Sequence, residues 1–300
     1  MISDARLPLL FLTVSMVTAA AGAQATNSPL QRQIREIAAD AHGTVSVACS
    51  LPGSRLDCDL RPHNHPPMQS VFKLPLALYI LQQVEHGKFA LDQPIPFLPS
   101  DRYLPKWYSP LQDKYPEANV DVPLRELLRL AVSLSDNAAS DILLRLAGGT
   151  KPVNGYIASL GVRGFHLRHN EHELHDAVKA QYEDWFEPAA AVTLLRTISD
   201  HSPLTPEHNE LLMGWMKYTS TGRLNADLPE STRVDHKSGT SDVIGGVAYA
   251  TNDVGLINLP NGQSVAIAVF ITDSTADEAT RSKVIARIGR AAYDAGIATR

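Results

Sequence analysis

The chain has 300 residues, of which 44% are hydrophobic and 20% charged, and its formal net charge at pH 7 is -5. These values are ordinary for a globular protein and exclude a disordered, collagen-like or coiled-coil chain. No basic cluster stands out, which argues against a nucleic-acid-binding surface or a polybasic membrane patch. The length allows one large domain or two modest ones.

The only long apolar segment of the sequence covers residues 7–23, directly after Arg6, and it ends in Ala23-Gln24-Ala25. A short apolar run closed by a small-x-small triplet is typical of a secretory signal peptide. We therefore predict a signal peptide over residues 1–25, cleaved after Ala25, and a periplasmic or secreted protein with no membrane segment afterwards. A membrane anchor is the alternative, and the shortness of the run disfavours it.

A helix follows, with Leu30, Ile34 and Ile37 on one face. Residues 45–51 and 55–60 then flank a Pro-Gly-Ser turn and predict a β-hairpin. With a two-residue turn, Cys49 faces Cys58 at a non-hydrogen-bonded position, where Cα atoms come closest. An oxidising compartment would allow a disulfide between them, and two free thiols are the alternative.

The middle of the chain predicts mainly helices. A helical pattern covers residues 70–86, and Pro75 requires Ser70 to lie at its very N-terminus. Residues 92–121 are rich in proline and aromatic residues and predict a long ordered loop, with Asp121 capping the next helix. A break at residues 135–137 starts another helix, which Gly148-Gly149 ends. Further helices are predicted over residues 189–199 and 207–217, after a segment without clear periodicity at 161–187.

The last third of the chain predicts strands over residues 234–237, 245–251, 254–259 and 265–272, the last two joined at Asn261-Gly262. A helix with Val284, Ile288 and Ala291 on one face closes the chain. Strands at both ends and helices between them predict an α+β fold. Its antiparallel sheet is built from both chain ends, with flanking helices and an all-helical subdomain. We assign residues 26–65 and 221–300 to the α/β part and residues 66–220 to the mostly helical part.

Three short polar patterns could carry chemistry. Ser70 and Lys73 are three residues apart, so a helix would place the lysine amine near the serine hydroxyl, and the helix N-terminus would suit an oxyanion. Ser135-Asp136-Asn137 lies at a helix break, where Ser135 could move a proton and Asn137 could bind an amide; simple N-capping is the alternative. Lys237-Ser238-Gly239, followed by Thr240 and Ser241, lies on a strand that could bind an extended substrate and its carboxylate.

The three patterns occur in the order S-x-x-K, S-D-N and K-T-G, which is the signature of class A β-lactamases and penicillin-binding proteins. The third is Lys-Ser-Gly here, which keeps the lysine, the hydroxyl and the glycine. The sequence resembles the class A serine β-lactamases over nearly all of the chain after residue 25. Gln69, directly before the serine, resembles the extended-spectrum branch. The resemblance implies the serine β-lactamase and penicillin-binding transpeptidase-like fold, and hydrolysis of penicillins and cephalosporins that causes antibiotic resistance.

Class A β-lactamases also carry a glutamate that activates water to hydrolyse the acyl-enzyme. By resemblance this base is Glu171, and Glu173 is the competing carboxylate. The family usually has asparagine four residues later, where this sequence has His175, whose imidazole can still contact the water. The family also has an arginine two residues before the glutamate, paired with an aspartate. Here His169 takes that place beside Arg168, Asp184 is the expected partner, and the altered closure could widen the site for bulky oxyimino side chains.

The resemblance assigns a role to each site residue. Ser70 attacks the lactam carbonyl, the N–H groups of Ser70 and Thr240 hold the oxyanion, Lys73 or Glu171 takes the serine proton, and Ser135 protonates the leaving nitrogen. The expected substrate-binding residues are Asn137, Lys237, Ser238, Thr240, Ser241, Arg223, His175 and Tyr108, with Trp107 as the alternative to Tyr108 for an aromatic wall. The resemblance implies a monomer that acts on small-molecule β-lactams without a cofactor.

The histidines allow a zinc-site hypothesis, since His166, His169, His172 and His175 recur every third residue. The pattern lacks H-E-x-x-H spacing, so we expect an exposed histidine-rich loop and no metal. Besides a serine β-lactamase, three functions remain open: a carboxypeptidase-like penicillin-binding protein, a β-lactam-binding protein that stalls after acylation of Ser70, and, more remotely, a zinc hydrolase. Sustained turnover, dependence on Glu171 and sensitivity to EDTA distinguish them.

Overall fold

A five-stranded antiparallel sheet built from both ends of the chain organises the fold. A computed structural model describes Met1 and residues 28–103, 107–176, 178–219 and 222–299, so the predicted signal peptide beyond Met1 lies outside the described residues. The strands are β1 (Thr44–Ser50), β2 (Pro94–Phe97), β3 (Val120–Pro123), β4 (Phe165–His166), β5 (Trp185–Phe186), β6 (Val234–Thr240), β7 (Val243–Ile244), β8 (Val247–Asn258) and β9 (Ser264–Ser274). The α-helices are α1 (Pro29–Ala39), α2 (Lys73–Glu85), α3 (Pro110–Lys114), α4 (Leu124–Ser133), α5 (Asn137–Ala147), α6 (Thr150–Ser159), α7 (Glu171–Asp176), α8 (Pro188–Asp200), α9 (Pro206–Lys217) and α10 (Glu278–Ala298).

The sheet confirms the predicted union of the two chain ends. Its order is β1-β9-β8-β6, with β7 paired to β8, and every pairing is antiparallel. The turn at Asn261-Gly262 joins β8 to β9 as predicted, and Gly262 has a φ of 83°, which glycine adopts without steric cost. The fold is therefore the α+β fold expected from the sequence.

The prediction of two strands over residues 245–259 was wrong, because β8 continues without a break from Val247 to Asn258. Asn252 and Asp253, which interrupt the apolar pattern, pair with Phe270 and Val269 of β9 inside the sheet. Both are fully buried and hydrogen-bonded: the Asn252 amide donates to the Pro67 carbonyl at 2.9 Å. Buried polar residues with partners can lie in a central strand, and their polarity alone does not end it.

The predicted hairpin around the cysteines forms only in part. β1 is present, but residues 51–60 form no second strand, and a single bridge joins Val47 to Leu60. Val47 and Leu60 exchange both backbone hydrogen bonds, so the same register would make Cys49 and Cys58 a hydrogen-bonded pair, unlike the prediction. A disulfide joins Cys49 to Cys58, with 5.8 Å between their Cα atoms.

The prediction of one long loop over residues 92–121 was also wrong. β2 and β3 pair as a small antiparallel sheet, and the short helix α3 lies between them. Asp121 belongs to β3 and does not cap α4, which begins at Leu124. The strands are only four residues long and contain three prolines, a composition that hides a strand pattern in the sequence.

The two faces of the main sheet bury different cores. Alternating residues of β9 divide between them: Ile267, Val269 and Ile271 pack toward α1 and α10, whereas Ala266, Ala268 and Phe270 pack toward α8 and the other helices. Leu30, Ile34 and Ile37 are buried on α1 as predicted. None of the described helices is long and apolar enough to cross a membrane. The free edge of β6 contacts the turn that holds Ser70, so the site lies where sheet and helices meet.

Candidate active site

Ser70 lies in a 3-10 turn, Gln69–Phe72, that leads directly into α2. Pro75 is the third residue of α2, so the serine is at the N-terminus of this helical unit, as predicted. The turn packs tightly against β6: a Cβ atom on Gly239 would lie 2.5 Å from the Met68 carbonyl oxygen. Gln69, with a φ of 48°, adopts the left-handed conformation that such a tight turn needs.

Lys73 is fully buried beneath Ser70. Its ammonium donates to the Ser135 carbonyl at 2.7 Å and to Asn137 Oδ1 at 2.6 Å, and it lies 2.8 Å from Glu171 Oε1. These contacts use all three N–H bonds of the ammonium group. The S-x-x-K pattern therefore joins the S-D-N pattern and the loop glutamate in one buried cluster.

The S-D-N segment connects α4 to α5. Ser135 has a φ of 57°, and Asp136 is the N-cap of α5, where its side chain accepts from Ala139 N. Burial raises the pKa of the Asp136 carboxyl, although hydrogen bonds from three neighbours oppose the shift. The cap and the site coexist, because Asp136 forms the cap while Ser135 and Asn137 point to the lysines.

β6 brings the third pattern to the site. The Lys237 ammonium is fully buried and donates to Ser135 Oγ at 3.0 Å and to the Ser238 carbonyl at 2.8 Å. Burial, and then the charge of Lys73, lower the pKa of Lys237 well below its usual value. Thr240 accepts at Oγ1 from the Arg223 guanidinium at 2.9 Å.

Ser241 directly follows β6, and its hydroxyl accepts a hydrogen bond from the backbone N–H of Ala250 at 2.9 Å. Arg223 is 7% exposed, and burial lowers the pKa of its guanidinium while Asp253 opposes the shift. Its guanidinium also lies near Glu278, at 3.9 Å. The Arg223 guanidinium is therefore held next to Thr240, on the strand that also carries Lys237.

Glu171, the first residue of α7, is 2% exposed. Its Oε1 accepts from Ser70 Oγ at 3.2 Å, in addition to the Lys73 contact. Asp141 of α5 holds its backbone, because the Asp141 carboxylate accepts from Glu171 N at 2.9 Å and His172 N at 3.2 Å. Burial, and then the charge of Glu171, raise the pKa of Asp141 to about 6.

Sequence reasoning missed Asp141 and its partner Tyr103, whose buried hydroxyl donates to Asp141 Oδ2 at 2.8 Å. The available signal was spacing: Asp141 follows Asn137 by one helical turn and so shares its face of α5.

Glu173, the competing carboxylate, faces away from the site. Its side chain is 58% exposed, and it accepts from Asn170 N at 3.1 Å within the same loop. Of the two acids, only Glu171 contacts Ser70 and Lys73.

The glutamate loop closes through backbone groups. Asp184 accepts from Arg168 N at 2.6 Å and from His169 N at 3.1 Å, whereas the Arg168 guanidinium pairs with Glu183 at 2.8 Å. Asp184 is thus the carboxylate that closes the loop, but it binds main-chain N–H groups and the arginine turns to a neighbouring acid. Burial raises the pKa of Asp184 to about 6.

Aromatic rings form one wall of the site. Trp107 stacks on His175 with 4.0 Å between ring centroids, and Tyr108 is 56% exposed beside them. His175 Nδ1 lies 2.6 Å from the Glu171 carbonyl oxygen, so Nδ1 carries the proton in this contact. His172 stacks on Tyr103. In the described part of the chain, no group of three His, Cys, Asp or Glu side chains is arranged to hold a metal ion.

These elements enclose a cleft of about 500 Å³. It is lined by Gln69, Ser70, Trp107, Tyr108, Ser135, Asn137, Glu171, Leu174, His175, Gln181, Ser238, Gly239, Thr240, Ser241, Asp242 and Ile244. Lys73, Lys237 and Arg223 lie behind this lining. The cleft therefore combines a serine hydroxyl, a buried carboxylate and buried cations, groups that can together carry out acyl transfer to water.

Comparisons with known proteins agree with this arrangement. Residues 29–295 match the model of the β-lactamase enzyme family. The chain is 36% identical to the extended-spectrum β-lactamase PER-1 of Pseudomonas aeruginosa, over 94% of this chain and 92% of that protein. The structure resembles a β-lactamase from Chitinophaga pinensis with a TM-score of 0.84 and 42% identity, over 89% of this chain and 99% of that one.

The TLA-1 extended-spectrum β-lactamase is similar as well, with a TM-score of 0.85 and 37% identity over 88% of this chain and 97% of that one. The signature patterns, the fold and these similarities agree along almost the whole described chain. The chain belongs to the class A β-lactamases, hydrolases of β-lactams that confer antibiotic resistance.

Proposed function

We propose that this β-lactamase hydrolyses penicillins and cephalosporins through an acyl-enzyme on Ser70, which water activated by Glu171 then hydrolyses. The observation that carries the proposal is the contact of one buried oxygen, Glu171 Oε1, with Ser70 Oγ at 3.2 Å and with Lys73 Nζ at 2.8 Å. A carboxylate beside the nucleophile can accept the proton of the nucleophile during acylation. Later it can accept a proton from the water molecule that attacks the acyl carbon.

Acylation begins when Ser70 Oγ attacks the lactam carbonyl and loses its proton. Lys73 and Glu171 are the two candidate acceptors. All three N–H bonds of Lys73 are occupied by oxygen acceptors, whereas Glu171 accepts directly from Ser70, and this favours Glu171. The N–H groups of Ser70 and Thr240 would hold the developing oxyanion, since the first begins a helical unit and the second ends the edge strand β6.

Ser135 is proposed to protonate the lactam nitrogen as the C–N bond breaks. Its Oγ accepts from the Lys237 ammonium at 3.0 Å, which leaves its own O–H proton to be donated. The neighbouring cation also favours loss of that proton. The proton on Lys237 can then replace it. Exchange with solvent would return a proton to Lys237 and remove from Glu171 the proton gained from Ser70, so that the carboxylate is free to activate water.

The remaining residues are proposed to bind the substrate. Lys237, Ser238, Thr240, Ser241 and Arg223 would bind its carboxylate, since they place cations and hydroxyls at one end of the cleft. Asn137 would bind the side-chain amide, and Tyr108 with Trp107 would pack against the side chain. His175 would contact the hydrolytic water with its ring edge, because its Nδ1 is already bonded to the Glu171 carbonyl.

Pre-steady-state hydrolysis of a chromogenic cephalosporin, with EDTA present, tests this mechanism. We expect sustained turnover by the parent and a single, slower burst by Glu171→Ala, in which Lys73 has to accept the serine proton in place of Glu171 and the acyl-enzyme persists. Glu173→Ala is the matched control, since that acid lies in the same loop and outside the cleft, and it should turn over like the parent. A parent that gives only a burst would instead indicate a stalled β-lactam-binding protein or a penicillin-binding protein. Loss of turnover in EDTA would indicate zinc.

We also propose that the protein is exported as a monomer whose domain begins at Thr26. Residues 26–65 and 221–300 would form its α/β part and residues 66–220 its mostly helical part. The apolar run before Ala25 supports export, and the Cys49–Cys58 disulfide suits an oxidising compartment. Mass spectrometry of the protein from a periplasmic fraction should give an N-terminus at Thr26, and light scattering should give the mass of one chain. Retention of residues 1–25 in a membrane fraction would contradict the export proposal.

A further inference from the structure

Asp253 on β8 is a fully buried carboxylate whose contacts converge on the site without reaching the cleft. Its Oδ1 accepts from His236 Nδ1 at 2.9 Å, and its Oδ2 accepts from Arg223 N at 2.9 Å and Leu224 N at 3.0 Å. One side chain therefore ties the segment that carries Arg223 to β6, the strand that carries Lys237.

The space around His236 fits an imidazole closely. A Cβ atom on Gly222 would lie 2.5 Å from His236 Cε1, and one on Gly255 would lie 2.5 Å from His236 Cβ. His236 is 2% exposed, and its carbonyl accepts from Thr219 Oγ1 at 2.6 Å. Glycines on two different segments thus leave room for the ring that reaches across to Asp253.

We propose that Asp253 and His236 form a positioning pair that sets Arg223 and Lys237 for the carboxylate of the substrate. Lys237 follows His236 directly on β6, and the Arg223 guanidinium reaches Thr240 Oγ1 on the same strand at 2.9 Å. Neither member of the pair lines the cleft. This inference rests on the proposed binding of the substrate carboxylate by these two cations.

The charge of Asp253 gives the pair a second effect. Four charged groups affect the pKa of Lys237: Lys73, Asp253, Glu171 and Arg223. Of the two anions among them, Asp253 has the larger effect. Burial alone would raise the pKa of Asp253, but His236 and the two backbone N–H groups hold it below its usual value. Asp253 is therefore ionised and favours the charged form of Lys237, so that its removal should lower the pKa of Lys237 further.

The test compares a cephalosporin that has a free carboxylate beside the lactam with its methyl ester, using Asp253→Asn and the parent between pH 6 and 9.5. For the acid we expect KM to rise about tenfold, with kcat changed less than threefold. The basic limb of kcat/KM should also move to lower pH. For the ester, variant and parent should differ less than twofold.

Two controls separate positioning from general damage. Asp235→Asn removes a different buried acid, which lies on β6 and pairs with Arg233 at 2.8 Å, and it should leave KM and the pH profile unchanged. His236→Leu should raise KM for the acid, and His236→Asn should restore it, because its amide nitrogen can donate where Nδ1 does. These variants decide the question even if Asp253→Asn does not fold.

A parent-like KM and pH profile in Asp253→Asn and His236→Leu would overturn the proposal, and so would equal losses for acid and ester. The acylation rate of Ser70 is measured in the same progress curves. A parent that acylates and then stalls would contradict the deacylation mechanism, and the comparison of acid with ester would still decide the role of the pair.

Discussion

Lys73 Nζ lies 2.8 Å from Glu171 Oε1, and both side chains are almost fully removed from solvent. The same carboxylate oxygen accepts the hydrogen bond from Ser70 at 3.2 Å. Removing one partner of a buried ion pair leaves the other charge uncompensated, at a cost of about 3–5 kcal/mol. The Lys73–Glu171 ion pair beside Ser70 therefore contributes to the stability of the fold, and this contribution depends on both side chains being charged.

A double-mutant cycle on this pair should show favourable coupling. We expect Lys73→Met to lower the free energy of unfolding by about 3 kcal/mol, and the double variant with Glu171→Gln to recover at least about 1 kcal/mol of the loss. Urea denaturation at pH 7 measures each value. Additive effects of the two substitutions would contradict the importance of the pair.

Asp184 should make folding stability fall as the pH rises. Burial raises its pKa to about 6 in the folded state, above its ordinary value near 3.8, so the folded state binds the proton more tightly. The contribution is present below about pH 4 and is lost as the pH rises to about 6. The stability of the parent relative to Asp184→Asn should fall by about 2–3 kcal/mol between pH 4 and pH 7.

Urea denaturation at pH 4, 5.5 and 7 checks this prediction. Asp121→Asn is the control, since Asp121 lies exposed on β3, and its difference from the parent should not change over this range. A constant difference between parent and Asp184→Asn would contradict the burial argument.

Gly239→Ala should damage the site through a backbone collision. The added Cβ atom would lie 2.5 Å from the Met68 carbonyl oxygen, on the turn that holds Ser70. We expect about 1–3 kcal/mol of destabilisation and at least about a tenfold loss of kcat/KM. Gly214→Ala on α9 meets nothing within 4 Å, and it should stabilise the protein by about 0.5–1 kcal/mol without changing activity. Equal effects of the two substitutions would disprove the close approach.

The disulfide should stabilise the fold without serving the chemistry. Cys49 and Cys58 are 9 residues apart, and closing a loop of that length contributes roughly 2–3 kcal/mol through the unfolded state. The double variant Cys49→Ala with Cys58→Ala should lose about that much in thermal or urea unfolding and keep the parent's kcat/KM. A large loss of activity at temperatures where the variant is folded would show that the bridge also shapes the site.

The sequence indicated which candidate site residues lie together better than it predicted the strands. Ser70, Lys73, Ser135, Asn137 and Lys237 belong to short patterns fixed by local geometry, and the structure brings them together with Glu171. Such patterns can be recognised in the sequence because neighbouring residues alone determine a turn or the start of a helix.

Predictions failed where long-range contacts decide the structure. Asn252 and Asp253 look like a break in the strand, yet hydrogen bonds to Pro67 and His236 hold them inside β8. Asp141 was missed because the backbone group that it binds lies in a loop 30 residues away. Asp184 binds the backbone N–H of Arg168, and the Arg168 side chain pairs with Glu183 instead. The spacing of these residues in the sequence does not indicate this arrangement.

The most direct test of the central claim is mass spectrometry of the Glu171→Gln variant, quenched at a series of times after mixing with a penicillin. We expect an adduct with the mass of the intact substrate, located by peptide mapping at Ser70, and no adduct on Ser70→Ala. The parent should carry none once the substrate is consumed. Free Glu171→Gln with ongoing turnover, or an adduct on another residue, would contradict the account of a Ser70 acyl-enzyme deacylated by Glu171.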